Sequence, residues 1–512
     1  MSSFTAITSR LFNIVFKRPS EIPFAGELCE LDAMTAAAIV ESKYVGAAAF
    51  CGELPNISDG GNDRSSVDDE ETLGDLLASL HCPNPRSSFA SAMGLSMTGH
   101  RATVFLTSDE LISCQDLLLE CTRQHIPIVI HVDATDSHNA YHLSSMSGCM
   151  QFFAANSQEA VDLTMIARQV SETSLIPAIV AIDDSTKTCP VILPTEEQSE
   201  QWLGHTDDEI KCPTQSQRLI FGEQRRQVPD RWNLERPLLL SPVHKESSPA
   251  FAATREPYYD NELLEILHSS QAEWKEQTGR VCSSILLNSQ SDADVVYICQ
   301  GSIFEVVSQI ESVKVASIKC LRPFPAGELV KAAGTSKKVI VLNTSSAQLC
   351  GDSQLTTEVK AALSELSCEI YGVDCNGATL EDIKTLVSLA SNDEKLPSYA
   401  GVSFITEETP YPKLTSAMDE LERSYPEIKT LSLRKTTCDK TTPNLEQACT
   451  SPLLESNLWN DSIGSLPRFW NQIGSICQDS NEELLTASPL LSTNAIPPLT
   501  SSLRCLNTDS QV

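Results

Sequence analysis

Three histidines and two aspartates fall close together at His131, Asp133, Asp136, His138 and His142. Imidazoles and carboxylates at such spacing can ligate a divalent metal, and His138 and His142 stand four apart, as zinc ligands on one helix face do. The H-E-x-x-H pattern is missing, however, and Asn139, Ser144 and Ser145 give the segment the polarity of a surface loop, so ordinary surface polarity is the reading preferred to a metal site. Gly301-Ser302 ends an apolar run and precedes a helical one, where backbone N–H groups could hold a phosphate. A single glycine is equally what a tight turn needs. Asp352, beside Cys350 and Gly351, has no stronger claim.

Cysteine is abundant, with 18 residues, yet no C-x-x-C occurs, so neither a zinc ribbon nor a cysteine-held iron–sulfur cluster has its usual frame. Cys282, Cys299 and Cys320 sit in apolar runs as small buried hydrophobes, which fits a reducing compartment and a cytoplasmic location.

The elements that must position these groups are legible in outline. Residues 102–107 and 126–132 are apolar without alternation, as strands covered on both faces are. A helix rich in Ala, Gly and Ser precedes the first, and an amphipathic helix with Leu111, Leu117, Leu118 and Leu119 joins the two. Residues 176–183 repeat the strand pattern. A second alternation follows, with a helix over 262–278, strands over 294–299, 313–318, 338–342 and 369–373, and helices over 303–311, 327–333 and 355–366. The expected class is α/β, with two parallel-sheet, three-layer domains.

The boundaries predicted are 1–189 for the first domain, 190–255 for a proline-rich connector, 256–396 for the second domain, 397–435 for a small βαβ unit and 436–512 for an extended tail. Acidic residues outnumber basic ones 68 to 37, a net charge of −31, which argues against nucleic acid or an anionic membrane as partner. The basic opening, with Arg10, Lys17 and Arg18, is compatible with a targeting peptide, but a folded start is the preferred reading. No transmembrane run is present in the sequence.

The small-residue helix at 89–98, Thr107-Ser108, His131-Val132 and Ser157-Gln-Glu-Ala-Val-Asp-Leu163 together resemble the N-terminal, pyrimidine-binding domain of the pyruvate:ferredoxin (2-oxoacid:acceptor) oxidoreductase family. Pro257-Tyr-Tyr-Asp260, Thr278-Gly-Arg280 and Leu321-Arg-Pro-Phe-Pro325 resemble the family's transketolase C-terminal-like domain. Residues 4–13 are also similar to the start of fungal sulfite reductase flavoprotein subunits, which carry a degenerate copy of the same domain. Ser157 is expected to cap its helix, with Glu159 and Asp162 in the first turns.

The resemblance, covering roughly residues 30–435, implies a thiamine diphosphate site and lets its positions be inspected one by one. Cys51-Gly-Glu-Leu-Pro55 falls on the family's "Y-P-I-T-P", so Leu54 replaces the threonine that contacts the oxoacid. Arg86 stands where the family has the glutamate that activates the pyrimidine ring; Asp68, Asp69, Glu70 and Glu71 lie upstream. Thr135 replaces the arginine that holds the substrate carboxylate, and it is flanked by Asp133 and Asp136, whose charge repels an anion. Pro55 and Ser108 remain as weak cofactor-binding candidates, no catalytic residue is assigned with assurance, and no metal ligand is assigned.

The resemblance thus implies a component of a redox assembly with a degenerate thiamine and 2-oxoacid site, without activity or cofactor on its own. Thiamine diphosphate and magnesium would enter only through a partner chain carrying the pyrophosphate-binding and the iron–sulfur or flavin domains. An active α-type subunit completed by such a partner, and a non-catalytic protein-binding module, stand as the alternatives. A homodimer is possible on this reading.

Overall fold

The computed structural model of the chain describes residues 26–400 except 46, 52–77, 136, 184–186, 232–248, 290–292, 312, 335, 346–350 and 377, with a few isolated positions between 416 and 426. Leu54, Pro55, Asp68 to Glu71, Asp136 and Cys350 lie outside the described residues. So do the opening segment, the tail and nearly all of the βαβ unit expected at 397–435.

In chain order the elements are β1 (Glu27–Leu31), α1 (Ala33–Ser42), β2 (Ala47–Cys51), β3 (Ala78–Cys82), α2 (Pro85–Met97), β4 (Ala102–Thr107), α3 (Ser108–Ser113), α4 (Gln115–Arg123), β5 (Val129–Asp133), α5 (Asn139–Leu143), β6 (Met150–Ala154), α6 (Ser157–Ser174) and β7 (Ala178–Ile182). There follow β8 (Cys189–Leu193), α7 (Glu196–Leu203), β9 (Glu209–Lys211), α8 (Gln215–Phe221), β10 (Gln224–Arg226) and α9 (Pro249–Thr278). The last run is β11 (Ile285–Leu287), β12 (Val295–Cys299), α10 (Ile303–Ser308), β13 (Lys314–Ile318), β14 (Cys320–Arg322), α11 (Ala326–Ala333), β15 (Lys338–Asn343), α12 (Gln354–Ala362), β16 (Glu369–Asp374) and α13 (Leu380–Ser391).

Two α/β sheets result. The first has the order β14-β6-β7-β5-β4-β2-β3 and is parallel except for β14. Its strands β6 and β7 are buried at every position, which is why their sequence does not alternate. The second sheet, β11-β13-β12-β15-β16, is parallel except for β11. One apolar cluster joins both sheets, with Val104, Ile130, Phe153 and Ile179 from the first and Val296, Ile298, Ala316 and Ile318 from the second. No described helix is long and apolar enough to cross a membrane.

Three local expectations differ from what is observed. The helix expected from Glu262 begins at Pro249, because a proline fits a first helical turn and Ala250, Ala252 and Ala253 are strong helix formers. Residues 139–146 form α5 and a 3-10 turn rather than a surface loop, and His138 and His142 are buried in it. Ser157 is not the cap of α6. Asn156 is: its backbone is extended, and its Oδ1 accepts the Glu159 N–H at 3.0 Å, while Glu159 accepts the Ala155 N–H at 2.8 Å.

Between the sheets' sequences, residues 189–228 form β8, paired with β1, the β9–β10 ribbon and two short helices. They bury Val191, Leu193, Trp202 and Leu203 against α6 and its neighbours. Past β16, Tyr399 bridges to Asp374 in parallel and Ala400 donates to the Asp374 carbonyl at 2.7 Å. Strand β14 had no counterpart in the sequence reading. It lies in the text of the second sheet but pairs with β6, Cys320 opposite Phe152 and Arg322 opposite Gln151.

Candidate functional site

The carboxyl ends of parallel strands are where α/β sheets place ligands. At that edge of the first sheet, β4 ends in Thr107 and turns directly into α3. Thr107 and Glu110 close a reciprocal capping box, in which Glu110 Oε2 accepts the Thr107 N–H at 2.7 Å. The Ser108 hydroxyl, 5 % exposed, reaches the Asp133 carbonyl at 3.2 Å and the Ser137 carbonyl at 2.8 Å. It fastens the turn after β4 to the loop after β5. Thr135 is exposed, and its N–H donates to Asp133 Oδ1 at 3.0 Å in a local turn.

Arg86 lies in the first turn of α2 and is half exposed. Its guanidinium makes a fork to Asp116, at 2.6 and 2.8 Å, and donates to the Ser113 carbonyl at 2.8 Å. The Asp116 carboxyl is held below the ordinary range by that arginine. Arg86 is thus a cation already closed on a neighbouring carboxylate.

The acids nearest this edge are also engaged. Asp183, which follows β7, accepts the Ser302 N–H at 2.8 and 3.1 Å with its two oxygens, and His138 Nε2 lies 3.0 Å from Oδ2. Thr344, just beyond β15, places its hydroxyl on the other ring nitrogen of His138. The His138 ring also packs on Phe153, with centroids 4.5 Å apart. Gly301 has φ +75°, and a Cβ there would collide with the Asp183 carboxylate. The turn that resembled a phosphate cradle is therefore filled by a carboxylate of the chain itself.

A second buried group lies within the first sheet. Glu41, on α1, His131, in β5, and Arg168, on α6, are all 0 % exposed. Arg168 holds both Glu41 oxygens, at 3.0 and 2.8 Å, and His131 Nε2 is 2.9 Å from Oε1. Burial raises the Glu41 carboxyl, but Arg168 and His131 outweigh it and hold it below the ordinary range. Burial, with the charges of His138 and Arg322, depresses His142 to about 3, so it is neutral.

The histidines and aspartates that suggested a metal are thereby separated. His131 turns to Glu41, His138 to Asp183, and His142 packs edge-on against Tyr141. Among the described residues no three metal-capable side chains gather. The preference for surface polarity at this segment is corrected too, since all three rings are buried.

The motif residues act as clamps. Asp162, of the Ser157–Leu163 motif, takes a bidentate bond from Arg280, of the Thr278-Gly-Arg280 motif, at 2.7 to 3.0 Å. Glu159 pairs with Lys319 at 2.5 Å. Cys299 and Cys320 are buried, and Cys282 lies half-buried against Asp162.

Aminopyrimidine activation needs a carboxylate presented to the ring. Glu41, Glu110, Asp116, Asp133 and Asp183 each already accept a bond from within the chain. The acids named at this edge are therefore each engaged by the chain itself.

A sequence profile described as pyruvate:ferredoxin oxidoreductase core domain II matches residues 293–383. The chain is similar to ketoisovalerate oxidoreductase subunit VorA of Pyrococcus horikoshii, 26 % identical over 340 residues, which are 59 % of this chain and 78 % of that protein. It is similar to pyruvate synthase subunit PorA of Pyrococcus furiosus, 23 % identical over 280 residues, 50 % of this chain and 65 % of that one. A solved 2-oxoglutarate:ferredoxin oxidoreductase from Magnetococcus marinus superposes with a TM-score of 0.46 at 14 % identity, covering 71 % of this chain and 65 % of the other.

Proposed function

The chain is related in sequence to the 2-oxoacid:ferredoxin oxidoreductase family, and on that footing we propose that it is a component of a redox assembly whose own thiamine and 2-oxoacid site is degenerate. The observation that carries this reading is Arg86. It occupies the position of the activating acid and is closed on Asp116. Thr135, in place of the substrate-binding arginine, and the engaged Asp183 support it. The chain then works by docking to a protein that brings the pyrophosphate-binding and the iron–sulfur or flavin domains.

A second reading is favoured by the relatives themselves, since VorA and PorA are named as oxidoreductase subunits. In it, this chain is an α-type subunit that becomes active once a partner completes the site. Isothermal calorimetry tests whether the chain alone offers a cofactor site, which the degenerate reading denies. The purified chain, titrated with thiamine diphosphate and magnesium, is expected to give no binding heat; micromolar binding would overturn the degenerate reading. The double variant Arg86→Glu/Thr135→Arg is expected to show no 2-oxoacid-dependent reduction of a viologen dye, and appreciable turnover would refute it.

A further inference from the structure

Strands β2 and β3 run parallel and in register, and the last pair of that ladder sets Cys51 opposite Cys82. Among the described strands this is the one place where cysteine faces cysteine; Cys29, Cys189, Cys299 and Cys320 all stand opposite other residue types. Residues paired across a parallel ladder share a face of the sheet, and neighbouring strands lie about 4.8 Å apart. A disulfide spans Cα separations of about 4.4–6.8 Å, so this backbone spacing suits one without a change of register. The Cβ atoms must then approach to about 3.5–4.5 Å. Two features allow that approach. Both cysteines are the last residues of their strands, and among the described residues β3 pairs with β2 alone. Both also stand at the carboxyl end of the strands, the edge at which α/β sheets admit small molecules.

We propose that Cys51 and Cys82 form a reversible dithiol–disulfide pair, which clips β3 to the sheet and closes residues 52–81 into a covalent loop. The pair does not depend on whether the thiamine site is degenerate. Its oxidant is a low-molecular-weight disulfide. One cysteine, as its thiolate, attacks a sulfur of that disulfide and expels one small thiol; the second thiolate then attacks the protein sulfur of the mixed disulfide and expels the other. The chain gives up two electrons and two protons and gains one S–S bond, while the small disulfide becomes two thiols. Deep inside the molecule burial pushes thiols up, Cys149 and Cys299 to about 12, which keeps them out of such exchange.

The test uses the full chain, reduced, desalted and then held in oxidised glutathione. It is next unfolded in urea with N-ethylmaleimide, digested without reductant and read by mass spectrometry. A peptide linking Cys51 to Cys82 is expected as the most abundant cross-link, and dithiothreitol is expected to remove it. The same oxidation carried out in urea is expected to scatter the 18 cysteines among many linkages. Of the single variants Cys51→Ala and Cys82→Ala, at least one is expected to hold its remaining cysteine as a mixed disulfide with glutathione. Recovery of both cysteines as N-ethylmaleimide adducts overturns the proposal. So does a link from either to a third cysteine in its place, or a yield of the pair no higher in the folded chain than in urea. Single variants that both stay free of glutathione overturn it as well.

Discussion

Glu41 shares its two oxygens between a guanidinium and an imidazole, all three side chains closed off from the surface. Such a group is stable only while complete. Arg168→Met would leave Glu41 buried and short of its cation, at a cost of about 3–5 kcal/mol, readable as a lowered denaturation midpoint in urea. Because the folded carboxyl is held below its unfolded value, its contribution is present above the ordinary carboxylate range and is lost as pH falls through the folded value. Glu41→Gln should therefore flatten the acid limb of a stability–pH curve. His142 behaves in the opposite chemical sense but with the same slope. Its folded value is about 3 against 6.5 unfolded, so the unfolded chain binds the extra proton and stability falls as pH drops from about 6.5 toward 3. His142→Phe should remove that part of the loss in pH-dependent thermal melts. At Gly301, any side chain meets Asp183 in a backbone region that disfavours it; Gly301→Ala should cost at least about 1–3 kcal/mol, measured by denaturant unfolding.

At the level of elements, the unalternating runs at 102–107 and 126–132 did announce covered parallel strands, and the second alternation announced the second sheet. What could not be read was any feature made by contact across long stretches of chain. His138 and Asp183 are 45 positions apart, and His138 and Thr344 are 206 apart; neither spacing carries a periodicity. Gly301 was visible as a turn, but its occupant was not. β14 is three residues with a register break, too short to leave a pattern. Where the signal is local, small errors came from competing caps, as with Asn156 and Ser157. Asn156→Ala should cost about 1 kcal/mol, and Ser157→Ala much less, in paired thermal melts.

For the molecule as a whole, the two sheets share one apolar cluster, a carboxylate–imidazole hub and the Asp162–Arg280 and Glu159–Lys319 pairs. A fragment ending at residue 231 would lose β14 and more than a third of that cluster. It is expected to bind the dye ANS strongly and to lack a cooperative melt, while the full chain has one; a cooperative fragment would refute the shared core.

The return of β14 to the first sheet also sets an order of events during synthesis. The flank of β6 is open from the moment Ala154 leaves the ribosome until Arg322 does, an interval on the order of ten seconds at ordinary elongation rates of about 5–20 residues per second. Throughout that wait β6 keeps an unpaired edge, and Phe153 lacks the part of its apolar cluster that the second sheet supplies. Chaperone demand for this protein should therefore peak midway through translation and subside before the tail is made.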